Sequence, residues 1–425
     1  MKKNILVFPC GSEVGLNIYS SVRYSRHFHL IGASSIEDHG AFVYEDYIPS
    51  LPFINEPSFI PILKSVIIDR KIDAIYPAMD SVIPILKSKE TELGCKVVSS
   101  PLETTEICLS KSKTYNTFRE IIRVPKLFSL ETMHGFPVFV KPDIGYGARD
   151  TAIVEDTNTL NHIVSSKKGL LILEYLPGKE YTVDCFTDRN GKLIYAASRE
   201  RNRIRNGISV NTFFSEKQEE FTTLAETINK RLLFRGAWFF QVKRDTNGEL
   251  CLLEIASRLG GSSLLSRAIG VNLALLSLFD AFDIDIVPQI NHNYHVVLDR
   301  ALENKFRCSG LEYNTIYVDY DDCLVLSANL INVNLIRFLF DCINRGKKIV
   351  LLTKHRGDLY AEMRLFRIEH LFDEIILLSD DEEKYEYITD RCAIFIDDSF
   401  SERQRIKEKT GIPVFGPDMI DVLYS

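Results

Sequence analysis

The sequence has no closely spaced cysteine pairs. Its nine cysteines are scattered, no two are arranged as Cys-x-x-Cys, and their total is odd. Zinc sites are typically built from such pairs, and disulfide-rich secreted domains from even numbers of cysteines, so the pattern argues against both. Isolated thiols are typical of a reducing compartment. We therefore expect a cytoplasmic protein without a disulfide framework.

Long apolar runs are also lacking. A membrane-spanning helix needs about 20 consecutive apolar residues, and no run in the sequence approaches that length. The opening residues, MKKNILVFPCG, contain a short apolar run at residues 5–8 that is followed by a turn. This pattern predicts a first β-strand rather than a signal peptide, and we expect no membrane partner.

Positive charge is in slight deficit. Lys and Arg total 51 against 58 Asp and Glu, which gives a net charge of −7. This balance disfavours non-specific binding to nucleic acid or to anionic membranes, so a phosphate site must be local. The length of 425 residues, with 45% hydrophobic content, predicts about three domains at the usual ~150 residues each.

The main glycine loop fits neither of two familiar phosphate motifs. A Walker loop places its lysine after the glycines, and in a dinucleotide fingerprint the glycines open a helix. The segment FPVFVKPDIGYGARDTAIV reads instead as a strand ending at Lys141, a loop with Gly145 and Gly147, and a second strand. Such a hairpin can close as a lid that offers backbone N–H groups and a lysine charge to an anion. An ordinary turn has the same pattern.

Strands alternate with helices over the first 100 residues. Predicted strands at residues 4–8, 29–32, 72–76 and 96–99 favour a small parallel α/β layer. Open sheets of this kind bind ligands beyond the carboxyl ends of their strands. The substrate-side candidates at those ends are Ser12, Glu13 and Asp80.

Acidic and amide side chains recur at predicted strand ends further on. One strand ends at Glu174, and Glu180 follows a Pro-Gly turn, so the two carboxylates either line one cleft wall or belong to a solvated hairpin. A later hairpin places Gln241 and Glu254 on one side, where their oxygens suit Mg²⁺, which takes few protein ligands. Arg258, just beyond, can bind a planar anion bidentately.

Four arginines alternate along another predicted strand. Arg199, Arg201, Arg203 and Arg205 are spaced by two, which puts all four on one face of a regular strand. Like charges stacked in this way repel each other unless an anion joins them. The segment is therefore either a surface arm or an arm that closes on phosphates.

The ordered set resembles the ATP-grasp superfamily of carboxylate ligases, especially its carbamoyl-phosphate-synthase-like branch, over residues 1 to about 310. The resemblance implies ATP with Mg²⁺ (or Mn²⁺), a small-molecule carboxylate that becomes an acyl phosphate, an amine that attacks it, and a homodimer. It assigns the phosphates to Lys111, Lys141, Gly145 and Gly147, the adenine to Glu174, Tyr175 and Leu176, the ribose to Glu180, the metal to Gln241 and Glu254, and the reacting phosphoryl group to Arg258.

One position departs from the family pattern. The family usually has Glu-x-Asn-x-Arg, and this chain reads Glu254-Ile-Ala-Ser-Arg258, so Ala256 removes an expected metal ligand. A second Mg²⁺ would need water or Ser257 in its place. Two alternatives stay open. One is a small-molecule kinase, in which phosphoryl transfer is the end point, and the other is a nucleotide-sensing module whose ligase activity has decayed.

A new pattern begins after a polar connector near residue 314. Predicted strands at 315–318, 348–352 and 393–396 each end in polar residues, and a parallel sheet would bring these ends to one edge. A capped turn is the alternative for an isolated Asp-x-Asp. The polar residues are Asp319, Asp321, Thr353, Asp397 and Asp398, with Lys384 on a predicted helix.

This second set resembles the haloacid-dehalogenase superfamily of phosphatases. The resemblance implies that Asp319 is the nucleophile, that Asp321 is the general acid and base, that Thr353 and Lys384 bind the phosphoryl group, and that Asp397 or Asp398 holds Mg²⁺ with Asp319. The expected fold class is α/β and α+β, with a parallel α/β domain over 1–100, an ATP-grasp domain over 101–312, and a Rossmann-like haloacid-dehalogenase domain over 313–425.

Overall fold

The chain folds into two compact units, Met1–Leu302 and Glu303–Ser425, in a computed structural model. The structure describes residues 2–133, 135–145, 147–290, 294–303, 305–306, 308–326 and 330–424. None of the helices in these ranges has the length and apolar character that a membrane span requires. The domain boundaries expected at residues 100 and 312 stay predictions.

The first unit begins with a five-stranded parallel sheet in the order β3-β2-β1-β4-β5. The apolar run of β1 is buried, as expected for a parallel strand covered on both faces. The strands are β1 (Lys3–Phe8), β2 (Phe28–Ala33), β3 (Tyr47–Ile48), β4 (Ala74–Pro77) and β5 (Lys96–Val97), and the helices among them are α1 (Glu13–Val22), α2 (Phe59–Asp69), α3 (Ile83–Ser88) and α4 (Glu90–Leu93).

A four-stranded antiparallel sheet follows, in the order β6-β9-β7-β8. The predicted lid hairpin is its β7–β8 pair, in which Val138 lies opposite Val154. The elements of this region are α5 (Leu102–Leu109), α6 (Lys111–Phe118), β6 (Leu127–Phe128), β7 (Val138–Pro142), β8 (Ala152–Val154), α7 (Thr157–Ser166) and β9 (Leu170–Glu174).

A six-stranded antiparallel sheet completes the first unit, in the order β14-β13-β10-β11-β12-β15. The predicted metal hairpin is its β13–β14 pair. The elements are β10 (Glu180–Thr187), β11 (Leu193–Arg205), β12 (Ile208–Phe214), α8 (Glu219–Arg231), β13 (Gly236–Arg244), β14 (Leu250–Ala256), α9 (Leu264–Ala268), α10 (Leu273–Ala281) and β15 (Val297–Asp299).

Aromatic packing joins the parallel sheet to the six-stranded one. The ring centroid of Phe28 on β2 lies 5.3 Å from that of Phe279 on α10 and 5.8 Å from that of Phe282. The same core includes Phe186 and Ala237 from the six-stranded sheet. The two sheets therefore share one hydrophobic core, which fixes the carboxyl ends of β1 and β4 beside β13 and β14.

The second unit is built on a parallel sheet in the order β20-β19-β16-β21-β22, beside a short β17–β18 pair. The mixed α/β fold class is confirmed, and Lys384 lies on a helix as predicted, a short 3-10 helix over Lys384–Tyr387. The elements are β16 (Thr315–Val318), β17 (Val325–Leu326), β18 (Leu330–Ile331), α11 (Val333–Asn344), β19 (Lys348–Thr353), α12 (Leu359–Leu365), β20 (Glu374–Leu377), β21 (Ala393–Ile396), α13 (Phe400–Thr410) and β22 (Val414–Phe415).

The shared core of the first unit predicts a large effect of Phe28→Ala. Removal of this buried ring should lower the free energy of unfolding by about 3–5 kcal/mol, because the lost contacts leave a cavity. Trp238 is the single tryptophan of the chain and is buried in this unit, so its fluorescence in a urea titration reports the change. The control is Leu233→Ala at a 73% exposed side chain, which should shift the value by less than about 0.5 kcal/mol. Equal losses in both variants would contradict the proposed packing.

Candidate functional site

One cleft of the first unit contains every residue of this unit that the sequence assigned to nucleotide, metal or phosphoryl binding. Its volume is about 640 Å³, within the usual range for small-molecule sites. The predicted residues that line it are Lys111, Lys141, Gly145, Gly147, Glu174, Tyr175, Leu176, Glu180, Gln241, Glu254 and Arg258, and the substrate-side candidates Ser12, Glu13 and Asp80 line it as well. Their individual roles stay predictions.

The start of α6 is tied to the loop that follows β7. Ser110 caps the helix by accepting a hydrogen bond from the Lys113 N–H. Asp143 accepts from the Ser112 N–H at 2.7 Å and from the Ser110 hydroxyl at 2.8 Å. The Lys111 ammonium then lies 3.3 Å from the Gly145 carbonyl oxygen. These contacts bring a lysine of α6 to the base of the lid loop, which comprises residues 143–145 and 147–151.

Two lysines and one carboxylate share the floor of the cleft. Lys141 is buried, and its ammonium donates to the Leu253 carbonyl oxygen at 3.1 Å. The Lys111 ammonium lies 4.0 Å from a Glu254 oxygen. Burial lowers the pKa of Lys141 to about 8; the nearby charge of Glu254 opposes this shift and that of Lys111 adds to it. An anion in the cleft would therefore meet two closely placed ammonium groups.

The metal hairpin places two oxygen donors side by side. Gln241 on β13 lies directly opposite Glu254 on β14 in the antiparallel register, so their side chains project from the same face. An amide oxygen and a carboxylate are donors that Mg²⁺ accepts. Ala256 lies opposite Phe239 in the same ladder and has no side-chain donor. The hairpin therefore supplies donors for one Mg²⁺ and lacks the third side chain of the usual pattern.

The lid loop touches the turn that joins β11 to β12. Gly147 and Gly207 both have positive φ, at +65° and +73°, a conformation in which side chains are strained. A Cβ atom on Gly207 would lie 2.6 Å from Ala148. The two turns thus pack backbone to backbone over the cleft, and glycine is required for this approach.

The prediction that four arginines share one face of a strand is wrong. The pairing of β11 with β12 shifts register on both sides of Arg203, and such bulges reorient the side chains that follow. Arg199 and Arg201 line the cleft. Arg203 instead pairs with Asp299 at 2.7 Å on the surface, and Arg205 is exposed.

The two glutamates predicted to face a nucleoside are already paired with arginines. The Nη2 atom of Arg123 lies 2.7 and 2.8 Å from the two oxygens of Glu174. Arg201 Nε lies 2.8 Å from a Glu180 oxygen. Tyr175 and Leu176 follow the end of β9, so their main-chain groups lie beyond the strand ladder. Sequence reasoning missed Arg123, since no local motif marks it.

Three ion pairs lie where the carboxyl ends of the parallel strands meet the cleft, and each pair contains at least one residue that lines it. Arg258 binds Asp80, which follows β4, and Arg300 binds Glu13, which opens α1. Arg199 forms a buried pair with Asp184, with Nε and Oδ2 2.8 Å apart. The parallel sheet and the six-stranded sheet therefore contribute opposite charges to the same region, and Arg300 and Asp184 were not among the predicted residues.

A family model matches the part of the chain that forms one wall of this cleft. The model, described as ATP-grasp in the biosynthetic pathway with Ter operon, matches residues 166–299. This segment includes Glu174, Glu254 and Arg258. Lys111 and Lys141 precede it.

Solved structures share the fold of this chain. Biotin carboxylase from Campylobacter jejuni, solved as a β,γ-ATP complex, aligns with a TM-score of 0.59 and 18% identity over 70% of this chain and 75% of that one. L-amino acid ligase from Bacillus licheniformis aligns with a TM-score of 0.54 and 17% identity over 69% and 76% of the two chains. This chain contains an ATP-grasp fold.

A curated relative of this chain is the carbamoyl phosphate synthase large chain of Helicobacter pylori. It is 26% identical over an alignment of 262 positions, which covers 55% of this chain and 24% of the relative. The chain thus spans about a quarter of the length of that relative. The ATP-grasp resemblance and its carbamoyl-phosphate-synthase-like character are confirmed at the level of fold and similarity.

The second unit brings its predicted residues to one edge of the parallel sheet. The Lys384 ammonium lies 2.8 Å from an Asp319 oxygen and 2.6 Å from an Asp397 oxygen. Oxygens of Asp319, Asp397 and Asp398 lie within 4.8 Å of one another, a spacing that suits a hard cation. Thr353 is buried at the end of the neighbouring strand β19. Burial raises the pKa of Asp319 above its ordinary value, and the Lys384 ammonium opposes this shift.

Asp321 has a partner that sequence reasoning missed. Both of its oxygens lie 3.0 Å from Nδ1 of His355, whose side chain is almost fully buried. The other ring nitrogen lies 3.4 Å from Glu362 on α12. His355 follows β19 by two residues, and its proximity to Thr353 in sequence was the available signal.

The burial of Lys141 predicts a pH-dependent nucleotide affinity. Its ammonium is charged below its pKa of about 8 and neutral above it, so the attraction for phosphates should weaken as the pH rises. We expect the dissociation constant of ADP, measured by calorimetry between about pH 7.5 and 9.5, to increase by up to roughly tenfold per unit above the pKa. Lys141→Arg keeps the charge at every pH in this range and should give a flat profile. A flat profile for the wild-type protein would contradict the assignment.

Proposed function

We propose that the first unit is an ATP-dependent ligase that activates a carboxylate as an acyl phosphate for attack by an amine. One observation carries the proposal: two lysines, the neighbouring Gln241 and Glu254, and Arg258 line a single cleft under a glycine-containing lid loop. Positive charge and hard oxygen donors in one cleft match the needs of a bound nucleoside triphosphate. The names of an L-amino acid ligase and a carbamoyl phosphate synthase among its relatives favour the same class of reaction.

Each group has a role in this reaction. Lys111 and Lys141 would hold the phosphate oxygens, and backbone N–H groups of the lid loop would cover them. An oxygen of the acid attacks the γ-phosphorus, ADP leaves, and the amine nitrogen then attacks the acyl carbon and releases phosphate. Arg258 would stabilise the transferred phosphoryl group. Such chemistry depends on positioning and charge, and it needs no protein nucleophile.

Gln241 and Glu254 are the residues proposed to hold Mg²⁺, or Mn²⁺ in its place. Their oxygens are cross-strand neighbours, and the set of one carboxylate and one amide oxygen fits a cation that completes its shell with phosphate and water. When bound, the cation supplies positive charge for the β- and γ-phosphate oxygens. Glu174 to Leu176 would hold the adenine through main-chain groups, because the Glu174 carboxylate is engaged by Arg123, and Glu180 would contact the ribose.

We propose the following domains, substrates and assembly for the whole chain, from the resemblance to the two families. Residues 1–100 would form the pre-ATP-grasp domain, 101–312 the ATP-grasp domain and 313–425 a third domain. The substrates would be a small acid and an amine in the cytoplasm, with the protein acting as a homodimer. Size-exclusion chromatography with light scattering tests the dimer.

The metal hairpin predicts that Glu254→Gln abolishes ATP consumption. The substitution removes the only carboxylate of the proposed pair, and we expect ADP formation to fall by at least about 100-fold, since one lost charge-assisted contact costs roughly 1.5–3 kcal/mol and the metal is lost with it. ADP release is measured with a panel of acids and with hydroxylamine, which converts acyl phosphates to hydroxamates. The control is Glu249→Gln, an exposed glutamate on the turn of the same hairpin.

The assay separates the ligase from its alternatives. Hydroxamate formation supports the ligase. ADP with a stable phosphorylated acid or alcohol, and no hydroxamate, would favour a kinase. Nucleotide binding without turnover over the whole panel would favour a sensing module, which Ala256 makes a specific alternative.

We propose a second activity for the second unit, a Mg²⁺-dependent phosphatase of the haloacid-dehalogenase type. The bridge of Lys384 between Asp319 and Asp397 favours it, because this lysine can bind a phosphoryl group next to a carboxylate nucleophile. Asp319 would attack phosphorus and form an aspartyl phosphate, while Asp321 protonates the leaving oxygen and later activates water. Thr353 and Lys384 would hold the phosphoryl oxygens, and Asp319 with Asp397 or Asp398 would hold Mg²⁺.

This assignment predicts that Asp319→Asn abolishes hydrolysis of a chromogenic aryl phosphate by the full chain with Mg²⁺. The amide has the same shape but is a far weaker nucleophile, so the rate should fall by more than about 1,000-fold. Asp380→Asn changes an exposed carboxylate that pairs with Arg356 on the surface, and it should keep the wild-type rate. Wild-type turnover in Asp319→Asn would exclude Asp319 as the nucleophile.

A further inference from the structure

We propose that the acid substrate of the first unit is a zwitterionic amino acid, bound at the end of the cleft that is lined by residues from the carboxyl ends of the parallel strands. The inference rests on the ligase function proposed above. Its evidence is the arrangement of charges contributed by the start of α1, the residues after β4, strand β11 and the segment after β14.

Two carboxylates reach the cleft from the parallel sheet. Glu13 and Asp80 both line it, and each side chain is 29% exposed although each is in an ion pair. Arg258 binds one oxygen of Asp80, and Arg300 binds one oxygen of Glu13. A carboxylate has about four acceptor positions, so each acid retains acceptor capacity toward the cleft.

Gly260 and Gly261, shortly after Arg258 in the sequence, lie close to two of the ion pairs. A Cβ atom on Gly261 would lie 1.9 Å from Oε1 of Glu13, so a side chain here would displace the Glu13 carboxylate. A Cβ atom on Gly260 would lie 2.9 Å from Oδ1 of Asp184 and 3.0 Å from Nη2 of Arg199. The backbone of this loop therefore approaches both charged pairs closely.

Buried arginine donors at this end lack partners. The Arg199 side chain is 3% exposed, and its Nη1 atom has no hydrogen-bond partner in the described part of the chain. Nε of Arg258 is also buried without a partner among the described residues. An unpaired buried donor costs free energy comparable to a lost hydrogen bond. A carboxylate is the acceptor that satisfies arginine best.

The balance of charge selects the class of ligand. Arg199, Arg258 and Arg300 are matched one for one by Asp184, Asp80 and Glu13. A dicarboxylate would add two negative charges to a region that is already neutral, and a simple monocarboxylate would add one and leave the acceptors of Glu13 and Asp80 unused. An amino acid adds none, because its carboxylate meets the arginine donors and its ammonium meets the two acids.

The test is equilibrium binding, which does not require turnover. The full chain is saturated with Mg-ADP and titrated by calorimetry with each standard amino acid and with its analogue that lacks the amino group, such as alanine and propionate. We expect at least one amino acid to bind roughly 10- to 100-fold more tightly than its analogue. The analogue lacks the ammonium group, so it loses the contacts with Glu13 and Asp80. Equal affinities, tighter binding of the analogues or of glutarate, or no binding by any amino acid would overturn the inference.

The variant Glu13→Gln tests whether the preference for an amino acid over its analogue arises at this site. It should weaken binding of the amino acid by a similar factor and leave binding of the analogue unchanged. Mg-ADP affinity and the urea transition seen by Trp238 fluorescence establish that the variant is folded. Equal loss for amino acid and analogue would contradict the role of Glu13.

Hydroxamate assays keep the two proposals apart. If the amino acid binds with the expected preference but no acid yields hydroxamate, the ligase function fails and the amino-acid site stands. If hydroxamate forms from a desamino acid or from glutarate and amino acids do not bind, the ligase function stands and this inference fails.

Discussion

Burial of the Lys141 ammonium at the floor of the cleft is the constraint on which the proposed active site depends. A charged amine that is removed from water is costly unless nearby groups compensate it. Here one carbonyl oxygen and the more distant carboxylate of Glu254 compensate it in part, and the pKa accordingly falls to about 8. The protein thus holds a cation whose full stabilisation requires an anion, and a nucleotide phosphate is such an anion.

The surrounding architecture follows from that arrangement. The lysines come from a helix and a strand that Asp143 ties together, and the metal donors come from a hairpin in the six-stranded sheet. The lid loop reaches the β11–β12 turn through glycine contacts. In the proposed site, three separate segments would bind phosphate, bind the metal and cover the nucleotide, while a fourth, at the carboxyl ends of the parallel strands, would supply paired charges for a second substrate.

Much of the fold could be predicted because its strands and turns depend on residues that are close together in the sequence. Strand ends at Lys141, Glu174 and Asp319 follow from apolar runs that stop at polar residues, and the Gln241–Glu254 pairing follows from the alternation of a hairpin. Residues whose importance depends on distant partners could not be found in this way. Arg123 meets Glu174 across 51 positions, and no motif marks that contact.

Strand β11, which carries the four arginines, shows a second limit of prediction from the sequence. Regular alternation predicts one face for the four arginines, and two register shifts beside Arg203 redirect them. A bulge depends on how β12 pairs with β11, which the sequence of β11 alone does not specify. His355 is similar, because its ring becomes significant only where the sheet edge brings it to Asp321.

The most direct test of the central claim is a crystal structure of the protein with Mg²⁺ and a non-hydrolysable ATP analogue. The account predicts that oxygens of the β- and γ-phosphates lie within about 3 Å of the Lys141 ammonium, with the metal between them and Glu254. A nucleotide bound elsewhere, with Lys141 and Glu254 in contact with neither phosphate nor metal, would contradict it.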